Sequence, residues 1–268
     1  MTPPSEVLFP ADEPPVTVRR TDGRSPFLLT CDHAGRQLPT RLGRLGLPDT
    51  ELERHIAYDI GAADTSRLLS DTLDAVLVEQ RYSRLVIDCN RPPGTASAIP
   101  EISESTTITG NLRLTRAERQ ARVAEIFRPY HDRIAAEIDE RLAGGRRTVL
   151  IAMHSFTPVY KGVPRPWHVG TLYGRDGRLA EALGRLLREE AALTVGDNEP
   201  YAVTDETDYT IPTHGEGRGL IHVGIEIRQD LLADPAGQAD WAARLARVLP
   251  AALAVVDGAG SNADARIA

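Results

Sequence analysis

Two histidines stand where apolar runs stop. Pro26-Phe-Leu-Leu-Thr-Cys31 runs into Asp32-His33, and Thr148-Val-Leu-Ile-Ala-Met153 runs into His154-Ser155. A further carboxylate, Glu226, interrupts the later run Ile221-His-Val-Gly-Ile-Glu-Ile-Arg228. With an acid from Asp32 or Asp59, these residues compose the set that a mononuclear hydrolytic zinc site needs: three N/O ligands, an open position for water, and a carboxylate to take the water's proton. Arg84 and Arg91 add planar cationic forks that suit an anionic substrate or a developing oxyanion. Each residue also has an ordinary structural use. His154 can cap a strand, Arg84 and Arg91 can pair with Asp88, Glu226 can pair with Arg228, and Asp59 can cap a helix ahead of Gly61. The combination is what points to chemistry.

A site at strand ends needs strands to carry it. The run at 148–156, bounded by Gly144-Gly145 and Pro158, is continuous rather than alternating, as expected of a parallel or central strand covered on both faces. In open α/β sheets ligands collect at the C-terminal edge of such strands. Further strands are expected at 26–31, 75–79, 83–88 and 221–228. Helices are expected from Pro48 to His55, from Tyr58 through the apolar positions Ala62, Leu68, Leu69 and Leu73, from Leu179 to Ala192, and from Asp240 to about Val256 with a bend at Pro250. Another starts at Thr115, which forms a capping box with Glu118, and runs to near Gly144, kinked or split by Pro129. This alternation predicts a single α/β domain over 26–257 with a mixed sheet flanked by helices, preceded by a surface segment at 1–25 and followed by a loose tail at 258–268.

Composition narrows the partners. The 268 residues are 41% hydrophobic and 26% charged with a net charge of −7, and no basic patch serves a nucleic acid. No apolar run approaches the roughly 20 residues of a membrane span, and the opening Met-Thr-Pro-Pro-Ser-Glu lacks the pattern of a signal peptide. A cytoplasmic protein without a membrane or nucleic-acid partner is expected. The two cysteines, Cys31 and Cys89, lack metal-clip spacing and read as small buried hydrophobes.

Taken together, several stretches resemble the N-formylglutamate amidohydrolase family. They are Cys31-Asp-His-Ala-Gly35 with Leu38-Pro39, Tyr58-Asp-Ile-Gly-Ala62, Tyr82-Ser-Arg-Leu-Val-Ile-Asp-Cys-Asn-Arg-Pro92, Met153-His-Ser155, and Gly219-Leu-Ile-His-Val-Gly-Ile-Glu-Ile-Arg228. The resemblance implies a mostly parallel sheet of the phosphorylase/hydrolase-like, zinc exopeptidase-like kind, and one zinc ion. It implies His154 as a ligand, Glu226 as general base, and Asn90 with Arg91 as the clamp on a substrate carboxylate. Arg84 is assigned to the carbonyl oxygen and Arg218 to the substrate. Zinc carboxypeptidases use a His-x-x-Glu pair, whereas three residues after His33 stands Arg36, so the acidic ligand comes from elsewhere. Asp59 matches an aspartate in the family's corresponding stretch; Asp32 adjoins His33, and adjacent strand residues point to opposite faces. The expected metal ligands are His33, Asp59 and His154. The expected substrate is a small anionic N-acyl amino acid such as N-formyl-L-glutamate. Two alternatives stand beside this reading: a cysteine amidase with Cys31 as nucleophile, and a non-catalytic binder of acidic metabolites that uses the arginines alone. Which acyl group fits is a matter of pocket volume, a property of packing rather than of motif.

Overall fold

The two runs that carry His154 and Glu226 form the longest strands of a seven-stranded sheet. The computed structural model describes residues 6–8, 11–190 and 193–264. In chain order the strands are β1 (Val16–Arg19), β2 (Phe27–Cys31), β3 (Val76–Gln80), the hairpin β4 (Ile102–Ser103) and β5 (Thr106–Thr107), β6 (Val149–Phe156), the hairpin β7 (Val159–Tyr160) and β8 (Val163–Pro164), β9 (Val169–Leu172), β10 (Val195–Asp197) and β11 (Ile221–Arg228). The sheet order is β1-β3-β2-β6-β11-β9-β10. Its centre, β3-β2-β6-β11, is parallel, and β1 and β9 join it antiparallel. From β2 the chain adds β3 on one side and later β6 on the other, so the order reverses between β2 and β6. Ligands in such sheets sit outside the carboxyl ends at this reversal.

Alternate strand residues build two cores. Leu29, Cys31, Ile151, Met153, Ile225 and Ile227 face one side, covered by α2 (Ala62–Leu73), α5 (Arg178–Glu189) and α6 (Pro235–Asp264). Leu28, Val76, Val78 and Leu150 face the other, covered by α4 (Arg128–Ala143) and the segment around Leu85. Pleating then sends Asp32, His154 and Glu226 to this second side, because side chains alternate with a period of two. The short helix α1 (Asp49–Leu52) lies in the stretch where one was expected. Among the described residues no helix is long and apolar enough to cross a membrane.

Four expectations change. Residues 83–88 are not a strand: Leu85, Val86 and Ile87 are buried, but the backbone turns, with the Val86 amide donating to the Ser83 carbonyl and the Asp88 amide to that of Ala98. Their burial is real; their hydrogen bonds simply go elsewhere. The N-terminal segment instead contributes the edge strand β1, and β9 and β10 extend the far side. The helix that starts with the Thr115–Glu118 capping box, α3 (Arg116–Arg122), does not break at Pro129 but widens into a π turn over Val123–Phe127 before α4. A proline removes one N–H and crowds the carbonyl four residues back, and a wider turn relieves both. Finally, α6 keeps Pro250 inside it and continues to Asp264, into the stretch expected to be a loose tail. Ala192, the expected end of the helix before it, lies outside the described residues.

Gly61 pins the loop that brings Asp59 under the sheet edge. Its φ is +76°, and a Cβ there would lie 2.3 Å from Leu232 Cβ and 2.6 Å from the Leu232 carbonyl oxygen. A backbone clash cannot be relieved by a rotamer. Gly61→Ala is therefore expected to lower stability by on the order of 1–3 kcal/mol and to displace Asp59, read out as an earlier urea midpoint. An unchanged midpoint would show that the loop and Leu232 move apart freely.

Candidate active site

Three parallel strands deliver the central residues. His33 follows β2, His154 lies near the end of β6, and Glu226 stands beside His154 in register on β11. Asp59 comes from the loop before α2, held by its amide donating to the His33 carbonyl (3.0 Å) and by the Ser155 hydroxyl donating to the Ile60 carbonyl (2.7 Å). The loop and the strand ends thus fix one another.

The imidazoles share an orientation. Nδ1 of His33 and Nδ1 of His154 lie 3.3 and 3.0 Å from the same oxygen, Asp59 Oδ2. Each Nε2 faces a different carboxylate: that of His33 is 2.7 Å from Asp88 Oδ1, and that of His154 is 3.2 Å from Asp32 Oδ2. Asp32 is itself anchored by the hydroxyls of Tyr130 (2.8 Å) and Thr210 (2.7 Å). Arg84 spans the remaining edge, with Nε and Nη2 donating to Asp88 and Nη1 to Asp59.

This arrangement fits a divalent cation. One donor atom from each of His33, Asp59 and His154 lies within 4.8 Å of the others, and two imidazoles with a carboxylate are a donor set of catalytic zinc sites. A carboxylate behind each ligating imidazole fixes the tautomer and raises the basicity of the nitrogen left for the metal. Asp88 and Asp32 stand in those positions.

The charges respond to one another. Burial opposes ionisation of Asp59, but the His33 charge, hydrogen bonds from His154 and His33, and Arg84 hold its carboxyl well below the usual range. Burial likewise works against Asp32, and His154 overcomes it, leaving that carboxyl at about 2. His154 is lowered by burial yet raised well above its ordinary value by Asp32 and Asp59. Glu226 goes the other way: burial pushes it up to about 7 against the pull of His154, and Asp59 adds to the rise. Its Oε2 has no hydrogen-bond partner among the described residues.

A cleft of about 890 Å³ opens over these groups. Asn90 and Arg91 line it. Asn90 Oδ1 accepts from the amides of Tyr209 and Thr210, and its Nδ2 donates to Asp208; one Nδ2 hydrogen remains. Arg91 hydrogen-bonds through Nη1 to the carbonyls of Asn90 and Thr207. Arg84 also lines the cleft, though its first commitment is to Asp88 and Asp59; Nη1 and Nη2 each keep one N–H.

Two sequence expectations do not survive. Arg218 precedes β11, at the opposite end of that strand from Glu226, and pairs with Asp139 on α4 outside the residues that line the cleft. The eight-residue strand β11 separates its end from the substrate cleft. Cys31 is fully buried against α2, on the opposite face of the sheet, and burial raises its thiol pKa well above the ordinary value. It has no route to act as a nucleophile. The sequence reading also missed Asp88 as the partner of His33, having paired it only with arginines, and missed Tyr201, Leu172, Val203 and Ile211, which line the cleft from loops and a strand too short to recognise.

Comparison with known proteins points to one family. The sequence profile of the family described as N-formylglutamate amidohydrolase matches residues 25–233. The N-formylglutamate deformylase of Pseudomonas putida is 31% identical in an alignment of 183 residues that covers 60% of this chain and 65% of that protein, just under two thirds of its length. A gene product of Agrobacterium tumefaciens of known crystal structure is 42% identical with a TM-score of 0.91, over 94% of this chain and 100% of that one. The crystal structure of N-formylglutamate amidohydrolase from Ralstonia eutropha JMP134 shares the fold, with a TM-score of 0.64 at 21% identity over 92% of this chain and 100% of that one.

The position of Glu226 has a measurable consequence. Its folded-state pKa of about 7 lies above the unfolded value of about 4.3, so between the two the folded protein binds the extra proton and stability falls as pH rises. Glu226→Gln removes that loss. In metal-free protein the variant is expected to be more stable than wild type at pH 8, by on the order of 3 kcal/mol, with the gap closing toward pH 4. Urea denaturation at both pH values measures it; a gap that does not change with pH would show that Glu226 ionises normally.

Proposed function

The chain belongs to the N-formylglutamate amidohydrolase family, and on that premise we propose that it hydrolyses the amide of an anionic N-acyl amino acid, with N-formyl-L-glutamate as the first substrate to test. The observation that carries this reading is the geometry of the two imidazoles, which turn one nitrogen each toward Asp59 while separate carboxylates hold the other.

His33, Asp59 and His154 would hold one divalent ion, zinc by the nature of the donors. When bound, the ion would supply Lewis-acid polarisation of the amide carbonyl and a lowered pKa for the attacking water. Glu226 takes the proton from that water at its unpartnered Oε2 and passes it to the amide nitrogen as the C–N bond breaks, so that the amine leaves neutral. A base with a pKa near the working pH suits both transfers. Arg91, whose partners are carbonyl oxygens, offers its planar fork to a substrate carboxylate, and Asn90 adds its remaining N–H. Arg84 keeps Asp59 and Asp88 ionised and directs its free N–H groups toward the carbonyl oxygen, where negative charge grows in the transition state.

Metal analysis together with hydrolysis of N-formyl-L-glutamate tests the proposal. Chelation is expected to abolish hydrolysis and zinc to restore it. Asp59→Ala should lose ion and activity together, whereas Asp32→Ala should keep the ion with affinity lowered about 10- to 100-fold, as for other carboxylates behind a ligand. Glu226→Gln should keep the ion and KM while kcat drops about 100- to 10,000-fold. Stoichiometric zinc in Asp59→Ala, or more than about a tenth of kcat in Glu226→Gln, would remove these residues from their roles.

Arg91→Lys isolates the clamp. An ammonium keeps the charge but not the fork, so KM is expected to rise with little change in kcat. Equal losses in kcat and kcat/KM would instead place Arg91 at the reacting carbonyl.

A further inference from the structure

The two flanking cores account for nearly all of the buried apolar side chains, but Ala152, Leu172, Val203 and Ile211 form a small cluster apart from both. All four line the cleft. Their place follows from register. Gly224 pairs with Ala152 as Glu226 pairs with His154, so directly below the base and the ligand, on the same face, stand the two smallest side chains available. Across from Gly224 on β9 is Leu172, and Val203, from the loop after β10, and Ile211, which opens the π turn Ile211–Gly215, complete the cluster.

Strand order sets the direction in which a substrate lies. Counting across the sheet, the segment after β3 carries Arg84 and Arg91, β2 leads to His33, β6 carries His154, β11 carries Glu226, and β9 carries Leu172. The cationic groups therefore enter from the β3 side, with Arg91 and Asn90 reaching across to residues 207–210, while the wall behind the amide toward β9, at Ala152, Gly224 and Leu172, is apolar. A carboxylate belongs with the cationic groups. The apolar wall receives the acyl group, and a formyl group, which ends in a hydrogen, leaves such a wall without contact.

We propose that Leu172, Val203 and Ile211 are the acyl subsite, and that it takes short aliphatic chains longer than formyl, from acetyl to butyryl; this rests on the amidohydrolase reading above. The depth of the subsite is set by Ile211. A Cβ on Gly224 would lie 2.9 Å from Ile211 Cδ1 and 3.2 Å from Leu172 Cβ, so a methyl there drives the end of the Ile211 side chain into the cleft, whereas shortening Ile211 opens it.

The test is the ratio of kcat/KM values along N-formyl-, N-acetyl-, N-propionyl- and N-butyryl-L-glutamate with the zinc-loaded protein. Wild type is expected to cleave the acetyl and propionyl compounds, with propionyl at least equal to acetyl. Ile211→Ala is expected to raise butyryl relative to acetyl by about tenfold, the size of a methylene effect in an apolar pocket, and Gly224→Ala to shift the ratio about as far the other way. Should Gly224→Ala not fold, Ile211→Val supplies an intermediate step in the same direction as Ile211→Ala. Cleavage of the formyl compound alone, or variants that change every chain length equally, would overturn the subsite and leave the amidohydrolase reading standing. No hydrolysis of any of the four would overturn both.

Discussion

Three carboxylates, Asp32, Asp59 and Asp88, are buried around two imidazoles, and among the described residues Arg84 is the one guanidinium hydrogen-bonded to them. With both imidazoles neutral, this group carries two net negative charges on largely buried side chains, and burial of unbalanced charge is costly. Two protons or one dication cancel it. The raised His154 and lowered Asp59 describe the first solution; the shared approach of both Nδ1 atoms to one Asp59 oxygen makes the second available.

Much of the fold serves to hold that group together. Its members come from the ends of β2 and β6, from the loop before α2, and from the segment after β3, while Tyr130 on α4 and Thr210 anchor Asp32 from outside. The segment after β3 is the least regular of these, and it is tied down by Arg122. This arginine is buried and donates to the Val86 carbonyl and to Asn111 Oδ1; burial pushes its pKa down to about 10 against the pull of Glu118. A guanidinium spent on carbonyls replaces the ladder bonds a strand would have supplied.

What the sequence made legible follows from range. Continuous apolar runs that end on polar residues are local signals, and they placed β2, β6 and β11 together with His33, His154 and Glu226. The run at Leu85–Ile87 has the same composition but turns, because a short buried stretch looks alike whether its hydrogen bonds go to a strand or to loops. β9 was missed because Val-Gly-Thr-Leu is short and holds a glycine, where Glu199 passes too close for any side chain. Which carboxylate stands behind which imidazole depends on distant segments meeting, and no spacing encodes it. Arg218 is a different kind of miss. Strand polarity is readable from chain direction, and a residue ahead of β11 belongs to the end away from Glu226.

The π turn between α3 and α4 has a consequence for how this chain tolerates changes in length. One extra residue in a turn rotates everything beyond it by about 100° relative to a regular helix, so α3 and α4, though continuous, are out of phase. Arg122, just before the turn, is thereby aimed at Val86 and Asn111, while Tyr130, after it, is aimed at Asp32. Deleting a single residue from Val123–Phe127 would restore a regular helix and turn one half away from its partners, even though every remaining side chain kept its identity. In this stretch the number of residues is constrained more tightly than their kinds.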